Sequence, residues 1–180
     1  MVSTAGLFPV ASSFLCSQAE STPALAKVYD RRRKGEMNSE EKFFTQTDAW
    51  VFASLRSTMN GKGFSFVSFL AKADMLNHAI MTQQEIKQGL TKLHMRGLIE
   101  VEKEAVRKTE LAERLYSKID KRHGGLFSII GNCFDVLNSP RTKLPFVGTP
   151  PDLEFLTPEY INDKYEEYIN WAKSGSSKFS

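Results

Sequence analysis

The feature that most constrains this chain is a helix-start signal near its middle, Thr82-Gln83-Gln84-Glu85. A hydroxyl residue followed three positions later by a carboxylate predicts a capping box, in which each side chain bonds the other residue's backbone N–H. The apolar residues after this signal repeat at helical spacing: Ile86, Gly89, Leu90 and Leu93. Gly97 stands where a left-handed helix stop is expected. The pattern predicts one amphipathic helix that ends near residue 96.

The segments before this helix predict two more helices. Thr47, followed by an acid, predicts an N-cap for a helix over about residues 48–59, because the helix dipole favours an acid in the first turn. Ser65 predicts the next N-cap, and that helix should end near Asn77. In the tight connection that follows, we expect Ile80 to be the apolar plug between the helices.

The segments after the amphipathic helix predict a β-hairpin and a further helix. Residues 98–102 are typical of a strand, and residues 105–108 of a short returning strand. Thr109 predicts the cap of the next helix. With a one- or two-residue strand at Phe64, the predicted order is helix, short strand, helix, tight turn, helix, strand, strand, helix.

This order is that of a winged helix-turn-helix. The residues that carry the resemblance are Leu76-Asn77-His78-Ala79-Ile80-Met81-Thr82, Glu85-Ile86, Gly89-Leu90, Leu93 and Gly97-Leu98-Ile99. The end of this set resembles the recognition-helix-to-wing junction of bacterial MarR-like and ArsR-like regulators. Asp48-Ala49-Trp50 with Asn77-His78-Ala79-Ile80 is similar to a family of small bacterial winged-helix proteins that lack an assigned function. The resemblance covers residues 45–123. It implies the fold of these residues but no particular activity.

The C-terminal third predicts two more helices. The segment around residues 125–138 is apolar nearly all round, which indicates a helix buried under the body or paired with its twin in a dimer. Three prolines, at 145, 150 and 151, keep the following segment extended. Thr157 and Pro158 predict the start of the last helix, whose aromatic side we interpret as a docking surface.

The predicted fold class is mainly α with a small β-hairpin: a winged helix-turn-helix core with an N-terminal arm and a C-terminal helical extension. Residues 1–44 are rich in Ser, Ala and Thr and then charged, which predicts a flexible arm. Residues 45–123 form the predicted winged-helix domain, and residues 124–180 the extension, used for packing or dimerisation. The apolar start loosely suggests a signal or transit peptide, but Pro9 interrupts it, and a disordered leader is the alternative.

Composition excludes several classes of protein. A chain of 180 residues with net charge +3 and 41% hydrophobic residues is neither collagen, nor a disulfide scaffold, nor disordered throughout. Cys16 and Cys133 share no metal-binding motif, so we expect no metal and no cofactor. No apolar run is long enough to span a membrane, and a cytoplasmic location is the expectation.

No catalytic set is found in the sequence. It contains no Gly-rich phosphate loop, no nucleophile elbow and no paired metal-binding histidines, so we predict a protein that is not an enzyme. His78 lies one helical turn after Asp74, but capping of the preceding helix end is the simpler role for this region.

The first functional prediction is a DNA-binding protein of the transcription-regulator type. It would read double-stranded DNA with the helix about 83–96. In a helix-turn-helix the second helix lies in the major groove, where glutamine pairs with adenine and flanking lysines contact phosphates. The predicted nucleic-acid-binding residues are Gln84, Lys87, Gln88, Thr91, Lys92, Lys103, Arg107 and Lys108. Acids at 100, 102 and 104 make the wing neutral overall and oppose this prediction.

The alternative is a non-enzymatic protein–protein interaction module on a winged-helix scaffold, because fold alone does not decide function. A homodimer, formed through the helix about 125–138 or the C-terminal helix, is compatible with both functions. The DNA-binding prediction depends on Ile86, Leu90 and Leu93 turning inward, which leaves the glutamine-and-lysine side of their helix free.

Overall fold

The computed structural model describes residues 42–56, 64–103, 105–122 and 124–174. The predicted arm lies outside the described residues except for positions 42–44. The elements are α1 (Gln46–Leu55), α2 (Phe66–Asn77), α3 (Gln83–Met95), β1 (Ile99–Glu102), β2 (Ala105–Lys108), α4 (Glu110–Asp120), a 3₁₀ turn (Leu126–Ser128), α5 (Ile129–Asn138) and α6 (Pro158–Lys173). The described chain is therefore mainly helical with one antiparallel hairpin, as the predicted fold class states.

Helix α1 forms the centre of the fold. All its residues from Asp48 to Leu55 are buried, and it packs against α2, α3 and α5. The indole N–H of Trp50 donates to the Ala73 carbonyl at 2.9 Å, which ties α1 to α2. Burial on every side explains why this helix carries almost no polar face.

The N-cap of α1 is Thr45, so the prediction of Thr47 was wrong. The Thr45 hydroxyl accepts from the Asp48 N–H at 3.2 Å, and the Thr45 N–H donates to the Asp48 carboxylate at 2.7 Å. The acid at position 48 therefore completes a capping box from three residues away, which a cap at position 47 would not allow.

The compact unit begins at Lys42, three residues before the predicted border of the domain. Phe43 and Phe44 are buried. The backbone N–H of Phe44 donates to the Asn138 side-chain oxygen at 3.1 Å, and the Asn138 amide donates back to the Phe44 carbonyl at 3.0 Å. This reciprocal pair attaches the segment before α1 to the end of α5.

The predicted cap and end of α2 are confirmed, and the predicted plug after it was wrong. Ser65 caps α2 through the N–H of Ser68, and Phe64 is not in a strand. His78 ends α2 in the left-handed conformation (φ 50°). Ile80 is 65% exposed, whereas the side chain of Met81 is buried. The inward position of the connection is therefore one residue later than predicted.

Helix α3 has the predicted start and stop. Thr82 and Glu85 form the capping box, and the side chains of Ile86 and Leu93 are fully buried. Gly97 is left-handed (φ +63°), and its N–H donates to the His94 carbonyl at 2.8 Å, while the Leu98 N–H donates to the Leu93 carbonyl at 3.0 Å. These two bonds are a Schellman stop. β1 then pairs with β2, with Ile99 opposite Lys108.

The C-terminal helices pack on the body in different ways. Only Cys133, Val136 and Leu137 of α5 are buried, because α5 covers α1 with one face and keeps the other nearer the surface. The body therefore does not bury this apolar helix on every side, and its pairing with a twin in a dimer stays a prediction. Thr157 caps α6 as predicted, and the α6 aromatic side docks on α2. Within the described residues, no helix has the length and apolarity to cross a membrane.

Candidate nucleic-acid interface

Four polar residues of α3 form what we name the outer strip: Gln84, Lys87, Gln88 and Thr91. Gln84 and Gln88 are exposed, and Lys87 and Thr91 are half-buried. The side chains of Ile86 and Leu90 point the other way into the core. The capping box and the apolar spacing of α3 together set this orientation, since they fix where the helix begins and which side faces inward.

Lys92, a predicted phosphate contact, points into the protein. Its ammonium lies 2.6 Å from a carboxylate oxygen of Asp48, and the side chains are only 15% and 3% exposed. The charge of Lys92 is therefore neutralised by an internal partner on α1. The structure does not bring Lys92 to the outer strip.

The hairpin contributes two of its three predicted cations to the surface. Lys103 and Arg107 are exposed. The Lys108 side chain is 10% exposed, and its ammonium donates to the Arg56 carbonyl at 3.0 Å and pairs with Glu113 at 2.8 Å. Lys108 thus ties β2 to α1 and α4. Three of the five predicted cations remain accessible: Lys87, Lys103 and Arg107.

Acidic side chains share the hairpin surface. The Arg107 guanidinium lies 3.9 Å from the Glu102 carboxylate, and the two side chains are 68% and 73% exposed. Glu100 is exposed and stands opposite Arg107 in the strand register. Glu104 lies outside the described residues. Exposed pairs of this kind are weak because water and salt screen them, so Arg107 can exchange its partner for a phosphate.

The chain segment between α5 and α6 touches both ends of α3. The Val147 N–H donates to the Met95 carbonyl at 2.9 Å at one end, and the Gln83 amide donates to the Leu156 carbonyl at the other. The Val147 bond satisfies a carbonyl that a helix end leaves unpaired. Gln84 and Gln88 stay exposed between these attachments.

Sequence reasoning missed Arg96, which organises the end of α3. Its guanidinium lies 4.3 Å from the Phe43 ring centroid and 5.9 Å from the Phe146 ring centroid. It also donates to the Leu144 carbonyl at 3.5 Å. Through these contacts, Arg96 connects the segment before α1 to the segment after α5. A cation just before a helix-stop glycine was the only local signal, and it does not name these partners.

Two observations bear on the chemistry of side chains in the described part of the chain. Burial raises the pKa of the Cys133 thiol to about 12, so the thiolate is scarce at neutral pH. In the described ranges, no group of three or more His, Cys, Asp or Glu side chains is arranged to hold a metal ion.

The comparisons with known proteins return nothing for this chain: no protein family, curated protein or solved structure matches it.

Proposed function

We propose that the chain binds double-stranded DNA, with the outer strip of α3 in the major groove and the hairpin on the backbone, in the manner of a transcription regulator. One observation carries the proposal: Gln84 and Gln88 are exposed on the second helix of a helix–turn–helix pair, and the apolar residues Ile86, Leu90 and Leu93 of that helix are turned inward. Glutamine side chains at these positions are suited to bidentate pairing with adenine.

The accessible cations predict the salt dependence of binding. Each phosphate contact adds about −0.9 to the slope of log affinity against log salt. Lys87, Lys103 and Arg107 therefore predict a slope of about −2.7 per chain, and affinity should fall about 40-fold between 50 and 200 mM salt. If Lys92 and Lys108 also reached phosphates, the slope would be about −4.5 and the loss about 500-fold.

The test is the fluorescence anisotropy of a labelled random-sequence duplex, titrated with the full chain at low and rising salt. Lys87→Glu should weaken binding at least about tenfold and make the salt slope shallower by about one. Lys118→Glu is the matched control: it makes the same charge change on an exposed residue of α4. The Lys92→Glu change is unsuitable, because it would place a second carboxylate beside buried Asp48.

Two results would contradict the DNA proposal. The first is no duplex binding near 20–50 mM salt, where phosphate attraction is strongest. The second is equal weakening by Lys87→Glu and Lys118→Glu, which would mean a diffuse charge effect with no role for the outer strip.

A protein–protein interaction module is the second candidate function. It is favoured by the internal pairing of Lys92 and Lys108, which lowers the positive charge of the surface, and by two exposed apolar side chains, Met75 and Ile80, at the α2–α3 turn. Pull-down experiments distinguish the candidates. Under this alternative Ile80→Asp abolishes partner capture while Lys87→Glu leaves it unchanged, and the wild-type chain retains no nucleic acid.

A homodimer and a cytoplasmic location remain predictions that accompany both functions. Leu126 beside α5 and Ile169 on α6 are exposed apolar side chains on the two elements proposed for dimerisation. Sedimentation velocity should show a dimer that Leu126→Asp or Ile169→Asp converts to a monomer. A monomeric wild-type chain at all concentrations would exclude the dimer.

A further inference from the structure

The start of α2, the hairpin and three residues of α6 line an open groove of about 680 Å³. This volume lies in the range of small-molecule sites, roughly 300–1,000 Å³. No residue of the outer strip lines the groove, although the groove includes Lys103 and Arg107, which are also the proposed hairpin contacts to the DNA backbone. We propose that the groove binds a nucleotide unit, meaning one base with its sugar and phosphate, either free or within a single strand.

Three aromatic residues form one wall of the groove: Phe64, Phe66 and Tyr160. The Phe66 ring centroid lies 5.5 Å from that of Phe64 and 5.5 Å from that of Tyr160, both in edge contacts. Phe66 is buried, while Phe64 and Tyr160 are half-buried. Because buried Phe66 supports the other two rings, Phe64 and Tyr160 present an apolar surface to a base, and contact between a base and an aromatic side chain is a common mode of nucleotide recognition.

Three cations line the same groove from two elements: Lys103 and Arg107 from the hairpin, and Lys164 from α6. Lys164 pairs with Glu167 at 2.9 Å, and Arg107 lies 3.9 Å from Glu102. Both are surface pairs, which are weak, so a phosphate can replace a carboxylate partner at little cost. Arg and Lys are the side chains that proteins use to bind phosphate groups.

The two carboxylates of the groove narrow the choice of ligand. Glu102 and Glu167 line it beside the cations, so a bare anion such as inorganic phosphate meets repulsion as well as attraction. Sugar hydroxyls and base amino groups are hydrogen-bond donors, and ionised carboxylates are acceptors. A nucleotide unit uses the aromatic wall, the cations and the acids together, whereas phosphate or adenosine uses only some of them.

The experiment is isothermal titration calorimetry of the full chain with AMP, adenosine, inorganic phosphate and a short single-stranded oligonucleotide. AMP should bind at least about tenfold more tightly than adenosine or phosphate alone. An oligonucleotide that binds more tightly than AMP identifies a single strand as the source of the nucleotide. Equal or weaker oligonucleotide binding identifies free nucleotide.

Variants that reverse the charge of a groove lysine test whether AMP binds in the groove. Lys164→Glu should weaken AMP binding at least about tenfold, and the matched control Lys118→Glu should leave it unchanged. Lys103→Glu, on an exposed hairpin position, is a second variant that does not disturb the packing of α6. Absence of AMP binding at millimolar concentration, AMP binding no tighter than that of adenosine or phosphate, or unchanged AMP affinity in both folded variants would overturn the inference.

The groove and the outer strip are tested independently. Lys87 does not line the groove, so Lys87→Glu should reduce duplex binding and leave AMP binding intact. Failure of duplex binding in the wild-type chain would remove the proposed function alone, because the nucleotide inference depends on the groove residues.

Discussion

Asp48 and Lys92, 44 residues apart in the chain, form a buried ion pair of 2.6 Å between α1 and α3. The same Asp48 oxygen also accepts from the Thr45 N–H at 2.7 Å and from the Thr45 hydroxyl at 2.8 Å. One carboxylate therefore closes the first turn of the central helix and holds the proposed DNA-reading helix against it. This dual role explains why a lysine near the outer strip is unavailable to another molecule.

Removing the positive partner of this pair should destabilise the fold. Lys92→Met keeps most of the length and the apolar character of the side-chain stem but leaves Asp48 buried without a counter-charge, so we expect a loss of about 3 kcal/mol in the free energy of unfolding. The loss is measured by urea denaturation. Lys118→Met, at an exposed position, should stay within about 0.5 kcal/mol of wild type. Equal stability of the two variants would show that the ion pair is not needed.

Alkaline pH should destabilise the protein through Cys133. The thiol pKa is about 12 in the folded chain against the ordinary value of 9.0, because burial disfavours the thiolate. The folded-state pKa is raised, so the stabilising contribution is complete below pH 9 and is lost as pH rises from 9 towards 12. The free energy of unfolding should fall by about 1.4 kcal/mol per pH unit in that window from this group.

Substitution of the thiol isolates its part of the pH dependence. Cys133→Ala lowers stability at neutral pH, since it removes a buried group, but its denaturation curves should change less between pH 9 and pH 10 than those of wild type. The effect of Tyr165 begins higher, near its ordinary pKa of 10.0, and extends towards pH 12 because burial raises its folded-state pKa to about 12. Parallel pH curves for the two proteins would contradict the role of Cys133.

The reciprocal hydrogen bonds between Asn138 and the backbone of Phe44 should require the side-chain amide of Asn138, because that group both accepts and donates. Asn138→Asp preserves shape but loses the donor to the Phe44 and Phe134 carbonyls and places a negative charge beside them. We expect a loss of about 2–3 kcal/mol at pH 7 by urea denaturation. Asn162→Asp, at an exposed position of α6, is the control. If both variants unfold at the same urea concentration, the pairing does not stabilise the start of the compact unit.

Gly89 permits the close approach of α1 and α3. A Cβ at this position would lie 2.7 Å from Val51 Cγ2 and 2.9 Å from Val51 Cβ, and both residues are buried. Gly89→Ala should therefore cost about 1–3 kcal/mol, despite the better helix propensity of alanine. In a double-mutant cycle, Gly89→Ala combined with Val51→Ala should cost at least about 1 kcal/mol less than the sum of the two single changes. Additive costs would contradict the contact.

The sequence by itself determined where most helices begin and which side of α3 faces inward. Ser65, Thr82, Thr109 and Thr157 act as caps through N–H groups three residues away, and the inward turn of Ile86 and Leu93 follows from helical periodicity. Such signals are local, so no knowledge of the rest of the chain is required. The exposure of Gln84 and Gln88 was predictable for the same reason.

The tertiary structure alone decided which cations stay available and where the core begins. Lys92 pairs with Asp48, and Lys108 bonds the carbonyl of Arg56 across 52 residues of sequence. Phe44 enters the core because Asn138, 94 residues away, satisfies its backbone. A buried polar group must find a partner wherever the fold supplies one, and no local pattern of residues names a partner that lies on another element.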